Sequence, residues 1–183
     1  MPVLAGPTLA LMGLLALAGG MKLVNPDLTS GALRTARLPH SRLLILGIGL
    51  GEVLIGAGGI VVGTSMAAFS AAAFYAGFAW FVINALHNRL PISSCGCLGA
   101  TEIPPSLNHV ILNIGAVIVL VFAGFFPIGP WGGIDQLAPG SAAAFLGFTG
   151  VTIYALYAIL AVLPQRQAPP GAAPVGLSPT RYV

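Results

Sequence analysis

Five apolar stretches, each about as long as the hydrocarbon core of a bilayer is thick at ~1.5 Å per helical residue, constrain this chain more than any motif in it. They run from Val3 to Leu23, Leu43 to Gly63, Met66 to Leu86, Leu107 to Pro127 and Ala142 to Leu163. In lipid a backbone must satisfy its own hydrogen bonds, which a helix does within each run. Charged residues make up 6% of the sequence against 57% hydrophobic, and mean hydropathy is +0.96, whereas soluble domains carry about a quarter charged residues. The expected fold is an all-α integral membrane protein: a compact bundle of about five transmembrane helices, a four-helix core plus one. Residues 1–163 make up this bundle. The stretch 164–183 turns to Pro, Ala, Gly and Gln, cannot bury a core, and is expected to be a disordered tail.

The first run is read as a helix rather than a cleaved signal peptide, because no Lys or Arg precedes it and it is long for a signal core. Lys22 at its end is expected to snorkel to the interface. Asn25 to Arg42 reads as a polar linker, in which Asp27 caps a short helical segment that Pro39 stops. Its leucines 28, 33 and 38, set against Arg34 and Arg37, suit a piece lying on the membrane surface; a solvated loop is the alternative. Only Thr64 and Ser65 join the second and third runs, so these form an antiparallel hairpin. Gly47 with Gly51, and Gly59 with Gly63, are i, i+4 pairs that let helices approach closely. Ser106 is placed to cap the fourth helix after Pro104-Pro105.

With five spans, one face collects Lys22, Arg34, Arg37, Arg42, Arg89, Arg166 and Arg181, every Lys and Arg in the chain. The positive-inside rule makes that face cytoplasmic, with the N-terminus outside and both the C-terminus and the loop of residues 87–106 inside a multi-pass cell membrane protein. The basic residues sit at helix ends and form no stripe among aromatics, so nucleic acid is not an expected partner.

That loop carries the chain's two cysteines, in Ser93-Ser94-Cys95-Gly96-Cys97-Leu98-Gly99. Bridging residues i and i+2 requires a turn, which Gly96 makes at least cost, and so small a ring is strained. Strained disulfides are the labile and catalytic ones. A redox dithiol of Cys95 and Cys97 is the leading reading. Two thiolates could instead hold Cu(I), or contribute half of a zinc site completed by His87 and His109, or be incidental in a non-catalytic membrane partner of a redox complex.

Within the spans, Glu52 lies about ten residues from the cytoplasmic end of the second helix, near mid-bilayer, and must face the interior, protonated or paired. Lys22 is its candidate partner. A proton relay and an interhelical hydrogen bond are the two roles open to it. Asn84 near the end of the third span, with His109 and Asn113 at i, i+4 on the fourth, could line a polar chamber beneath the cysteines, where His87 or His109 holds a thiolate.

Taken together, Gly19-Gly20-Met21-Lys22-Leu23 with Asn25-Pro26, Leu50-Gly51-Glu52-Val53, Cys95-Gly96-Cys97-Leu98-Gly99 and Asn113 resemble the MauE branch of the MauE/DoxX redox-associated membrane proteins. The resemblance runs from Gly19 to about residue 124. Leu98 stands where that pattern has Phe, and Leu112 where it has Arg. The resemblance implies a small helical membrane protein that assists thiol-disulfide chemistry or electron delivery for envelope proteins, beside a thioredoxin-like partner, as in maturation of a disulfide-rich dehydrogenase subunit in methylamine utilisation. A quinone is a candidate cofactor without a readable motif here.

Overall fold

The structure is a computed structural model and describes residues 4–92, 105–131, 133 and 137–159. Among the described residues six helices follow one another: α1 Ala5–Val24, α2 Pro26–Thr35, α3 Arg42–Val62, α4 Ser65–His87, α5 Leu107–Phe125 and α6 Pro139–Tyr157. All but α2 are long and apolar enough to cross a membrane. The protein is an all-helical, multi-pass bundle whose apolar exterior fits a lipid bilayer. The expected tail lies outside the described residues.

Adjacency in the chain does not decide which helices pack most closely. The most extensive pairings are α1 with α3 and α4 with α5, while α3 meets α4 far more lightly despite the two-residue turn between them. The sequence of α3 explains its choice. Its buried residues are Ile45, Gly49, Glu52, Gly56 and Gly59, spaced by four and three so that they form a single stripe. A β-carbon built on Gly56 would stand 2.5 Å from the Met12 carbonyl oxygen, and one on Gly19 would stand 2.5 Å from that of Gly49. Backbones this close require residues without side chains. The i, i+4 glycines singled out from the sequence are therefore only partly the ones that matter: Gly47 borders open space and Gly51 meets Phe74, whereas Gly59 does lie against Met12. Gly49 and Gly56 were missed, and the partner is α1, not the hairpin neighbour.

Gly63 ends α3 in the left-handed conformation, φ 63°, with its amide donating to the Gly59 carbonyl. No other residue would do, since a β-carbon there would also collide with the Gly129 carbonyl. This contact holds the α3–α4 turn against the segment after α5, at one end of the bundle.

At the opposite end α2 folds over α4 and α5. Ala32 is buried with Phe81, Val82, Ala85, Ile92 and Val110, and Leu33 and Leu38 pack on this cluster. The linker is thus a helix packed on its own bundle, not a solvated loop. Asp27 does not cap it. Asn25 holds the cap position and Pro26 opens the helix, leaving Asp27 in the first turn, where a carboxylate favours the helix dipole. Nor does Pro39 stop it. Arg37 turns left-handed at φ 57°, and the Leu38 amide reaches back to the Leu33 carbonyl at 2.9 Å, a Schellman closure. Arg89, φ 48°, ends α4 in the same way, with the Leu90 amide on the Ala85 carbonyl at 3.0 Å.

The main core joins Leu11, Met12 and Leu15 of α1 to Ala68, Ala71, Ala72 and Tyr75 of α4 and to Ala116, Leu120 and Ala123 of α5. Tyr75 brings a hydroxyl into this apolar packing and donates it to the Leu11 carbonyl at 2.7 Å. The fifth span, α6, rests on α1 and buries only Thr149, as befits the one helix added to a four-helix core.

Candidate functional site

Among the described residues two polar clusters interrupt the apolar interior. The first begins with Glu52, the single acidic residue on the glycine stripe of α3. Glycines on either side draw α1 close, so the carboxylate meets whatever α1 presents at that level, and this is Lys22. The ammonium lies 2.8 Å from Glu52 Oε2, and the two side chains are 2% and 0% exposed. Lys22 therefore turns inward rather than snorkelling to the interface, because a buried carboxylate offers its ammonium more than the headgroup region does. The ammonium also stands 5.0 Å from the centre of the Phe78 ring, within the range of a cation–π contact. Glu52 Oε1, fully buried, has no hydrogen-bond partner among the described residues. Phe78 was not anticipated: nothing in the spacing of an aromatic on α4 ties it to a lysine on α1.

The second cluster opens α5. Ser106 occupies the cap position as expected, yet its hydroxyl makes no cap bond to the backbone. It instead shares a 2.7 Å hydrogen bond with His109 Nδ1. The spacing is that of a capping box, with the third helical residue reaching back to the cap, so this contact was readable from the sequence. The Asn113 side-chain amide donates to the His109 carbonyl at 2.7 Å. His109 is 1% exposed, and its Nε2 has no hydrogen-bond partner among the described residues. When the serine hydroxyl donates to Nδ1, Nε2 carries the proton; when Nδ1 donates to the serine, Nε2 is a bare acceptor.

The remaining sequence candidates join neither cluster. Asn84 accepts from the Asn88 side chain at 2.8 Å, one turn along α4, and His87 is exposed at that helix end. No hydrogen bond links Asn84 to His109 or Asn113 among the described residues, so the second cluster consists of Ser106, His109 and Asn113. Cys95 and Cys97 lie outside the described residues. Of the described residues that flank them, Ile92 is buried in the cluster beneath α2, as is Val110 in the first turn of α5 after Ser106.

Among the described residues, no group of three or more His, Cys, Asp or Glu side chains is arranged to hold a metal ion. Chemically, the first cluster can hold or exchange a proton at a carboxylate, and the second can do so at a buried imidazole in the first turn of α5.

No curated protein and no solved structure matches the chain. The family model described as Methylamine utilisation protein MauE does match, over residues 2–127. That stretch takes in both polar clusters, the cysteine loop and every helix but α6. By a match that spans well over half of its length, the chain belongs to the MauE family.

Proposed function

We propose that the protein is a membrane thiol-disulfide redox component that uses Cys95 and Cys97 to service envelope proteins, in keeping with a family named for methylamine utilisation. The observation that carries this reading is the Cys-Gly-Cys sequence itself, in a MauE family member whose α5 holds a buried histidine with a ring nitrogen that has no hydrogen-bond partner among the described residues. In the reducing direction, the thiolate of one cysteine attacks a partner's disulfide, forming a mixed disulfide and releasing the partner's other sulfur as a thiolate. The second cysteine then displaces the partner's remaining sulfur and closes the Cys95–Cys97 disulfide. Two electrons pass to the partner, and the two thiol protons leave with them or to a base. His109 is the candidate for that base, Ser106 holds its ring, Asn113 bonds its backbone carbonyl, and Glu52 with Lys22 supplies a second proton-holding site.

The topology belongs to the same proposal. With Lys22 withdrawn into an ion pair, the five-span reading still assigns the six arginines of the sequence to one face, which by the positive-inside rule would put the cysteine loop at the cytoplasmic boundary. A thioredoxin-like protein would be the partner there.

Complementation of a deletion strain by Cys95→Ala and Cys97→Ala variants tests the chemistry: both are expected to fail, and full complementation by either would overturn it. A single-cysteine variant should also trap the partner as a mixed disulfide on non-reducing gels. Impermeant maleimide applied to intact cells tests the side, with labelling expected only after the cells are opened.

A further inference from the structure

Because α3 turns toward α1 and α4 toward α5, a groove of about 610 Å³ opens where α3 and α4 part, with α2 across one end. Its lining is apolar almost throughout, and the charged residue on it, Lys22, is already committed to Glu52. Along α4 the groove runs from Ser70 to Phe81, about 16 Å at ~1.5 Å per residue, close to half of the ~30 Å hydrocarbon thickness of a bilayer. Trp80, on the lining, is 57% exposed on the outside of the bundle. The groove is therefore open to lipid and about as deep as one leaflet.

Positive charge gathers at its α2 end. Leu33 and Leu38 line the groove there; Arg34 and Arg37 adjoin them in the chain, Arg42 opens α3, and all three arginines are exposed. None of the three is ion-paired among the described residues, and the sequence has no carboxylate between Asp27 and Glu52. Arg37 is the informative one. Its backbone is left-handed, φ 57°, where glycine fits at least cost, yet this turn carries a long cationic side chain.

We propose that the groove is a site for one anionic phospholipid, with an acyl chain laid along α4 and the phosphate held by Arg37 and Arg42. The inference does not depend on the thiol reading. A trench of one leaflet's depth, apolar and open to the bilayer, suits a hydrocarbon chain, and the arginine fork pairs with two phosphate oxygens at once. The missing carboxylates select the headgroup. A zwitterionic lipid would bring an ammonium to a rim of three arginines with nothing to receive it, whereas phosphatidylglycerol brings negative charge alone.

The chain has two tryptophans, so a Trp131→Phe background leaves Trp80 as the sole reporter. The full chain is placed in phosphatidylcholine nanodiscs in which about a tenth of the lipid is brominated on its acyl chains, a contact quencher of tryptophan. Brominated phosphatidylglycerol is expected to reach Trp80 with an apparent preference of about fivefold or more over brominated phosphatidylcholine, the worth of one arginine beside an anionic headgroup. Arg37→Gly, which keeps the left-handed turn, combined with Arg42→Gln should bring the two lipids to parity while the protein melts in detergent no lower than the parent. Arg89→Gly makes the same exchange at the other left-handed arginine, beside Leu90, which is not on the lining, and should leave the preference in place. Gly77 lines the groove, and a β-carbon there meets nothing within 4 Å, so Gly77→Leu fills it without a clash and should abolish the preference. Equal quenching by the two lipids in the parent would overturn the proposal. So would an equal loss in Arg89→Gly, the mark of a diffuse attraction to the basic end. A preference untouched by Gly77→Leu would overturn it too, since the arginines would then be a contact for acidic groups with no chain in the groove.

Discussion

Lys22 Nζ and Glu52 Oε2 stand 2.8 Å apart, thirty residues apart in the chain and both shut away from the exterior. A pair in that setting contributes less through its own attraction than through what its loss would expose. Glu52→Ala should therefore destabilise the bundle by about 3–5 kcal/mol, by leaving the ammonium uncompensated. The double replacement Lys22→Met/Glu52→Leu should recover most of that loss. Thermal unfolding in detergent checks both, and a Glu52→Ala protein as stable as the parent would contradict the buried pair.

The seam between α1 and α3 makes glycine substitutions change sign with position. Gly19→Ala and Gly56→Ala push a β-carbon into opposing backbone and should cost about 1–3 kcal/mol. Gly20→Ala meets nothing within 4 Å and should gain up to ~1 kcal/mol from the restricted unfolded chain. The three melting temperatures, compared side by side, test which face of each helix is inside.

Tyr75→Phe removes the hydroxyl that α4 gives to the Leu11 carbonyl. That carbonyl belongs to a helix and keeps other bonding, so the loss should be modest, about 0.6 kcal/mol and below ~2. A larger effect in the same unfolding assay would mean that the hydroxyl has a role beyond the helix contact.

Ser106 and His109 can be separated by two readouts. Ser106→Ala strips His109 Nδ1 of its bond and should cost about 1–3 kcal/mol. His109→Phe fills the same space, and if the imidazole serves the thiols it should slow maleimide addition to Cys95 and Cys97 at pH 7 by about tenfold or more. Unchanged labelling kinetics with an intact fold would remove His109 from the redox site.

The five spans and the hairpin turn were legible because apolar length and a two-residue gap leave the chain few choices. The rotation of each helix was not. Along α3 nearly every residue is apolar or glycine, so no polar face marks the outside, and Gly47 and Gly49 look alike until α1 is in place. Lys22 shows the same limit: one turn from a helix end, it could reach either the interface or the interior, and only the position of Glu52 decides. Arg37 and Arg89 escaped notice because left-handed helix ends are sought at glycine, whereas here the closing hydrogen bonds hold arginine in that conformation. The Ser106–His109 contact has a readable spacing, but a serine at that position suits the commoner backbone cap equally well.

The pairing of α1 with α3 also bears on how the protein is made. When spans enter the bilayer in chain order, α1 carries Lys22 into the membrane ahead of Glu52 on α3, and α2 must stay at the surface while α3 follows. Each charge would cost a few kcal/mol alone in lipid. Lateral association of α3 with the waiting α1 cancels both costs at once, which makes this ion pair a checkpoint in biogenesis: a chain whose third helix fails to find its first is left with two unpaired charges in the bilayer, the condition under which a half-assembled membrane protein is least able to persist.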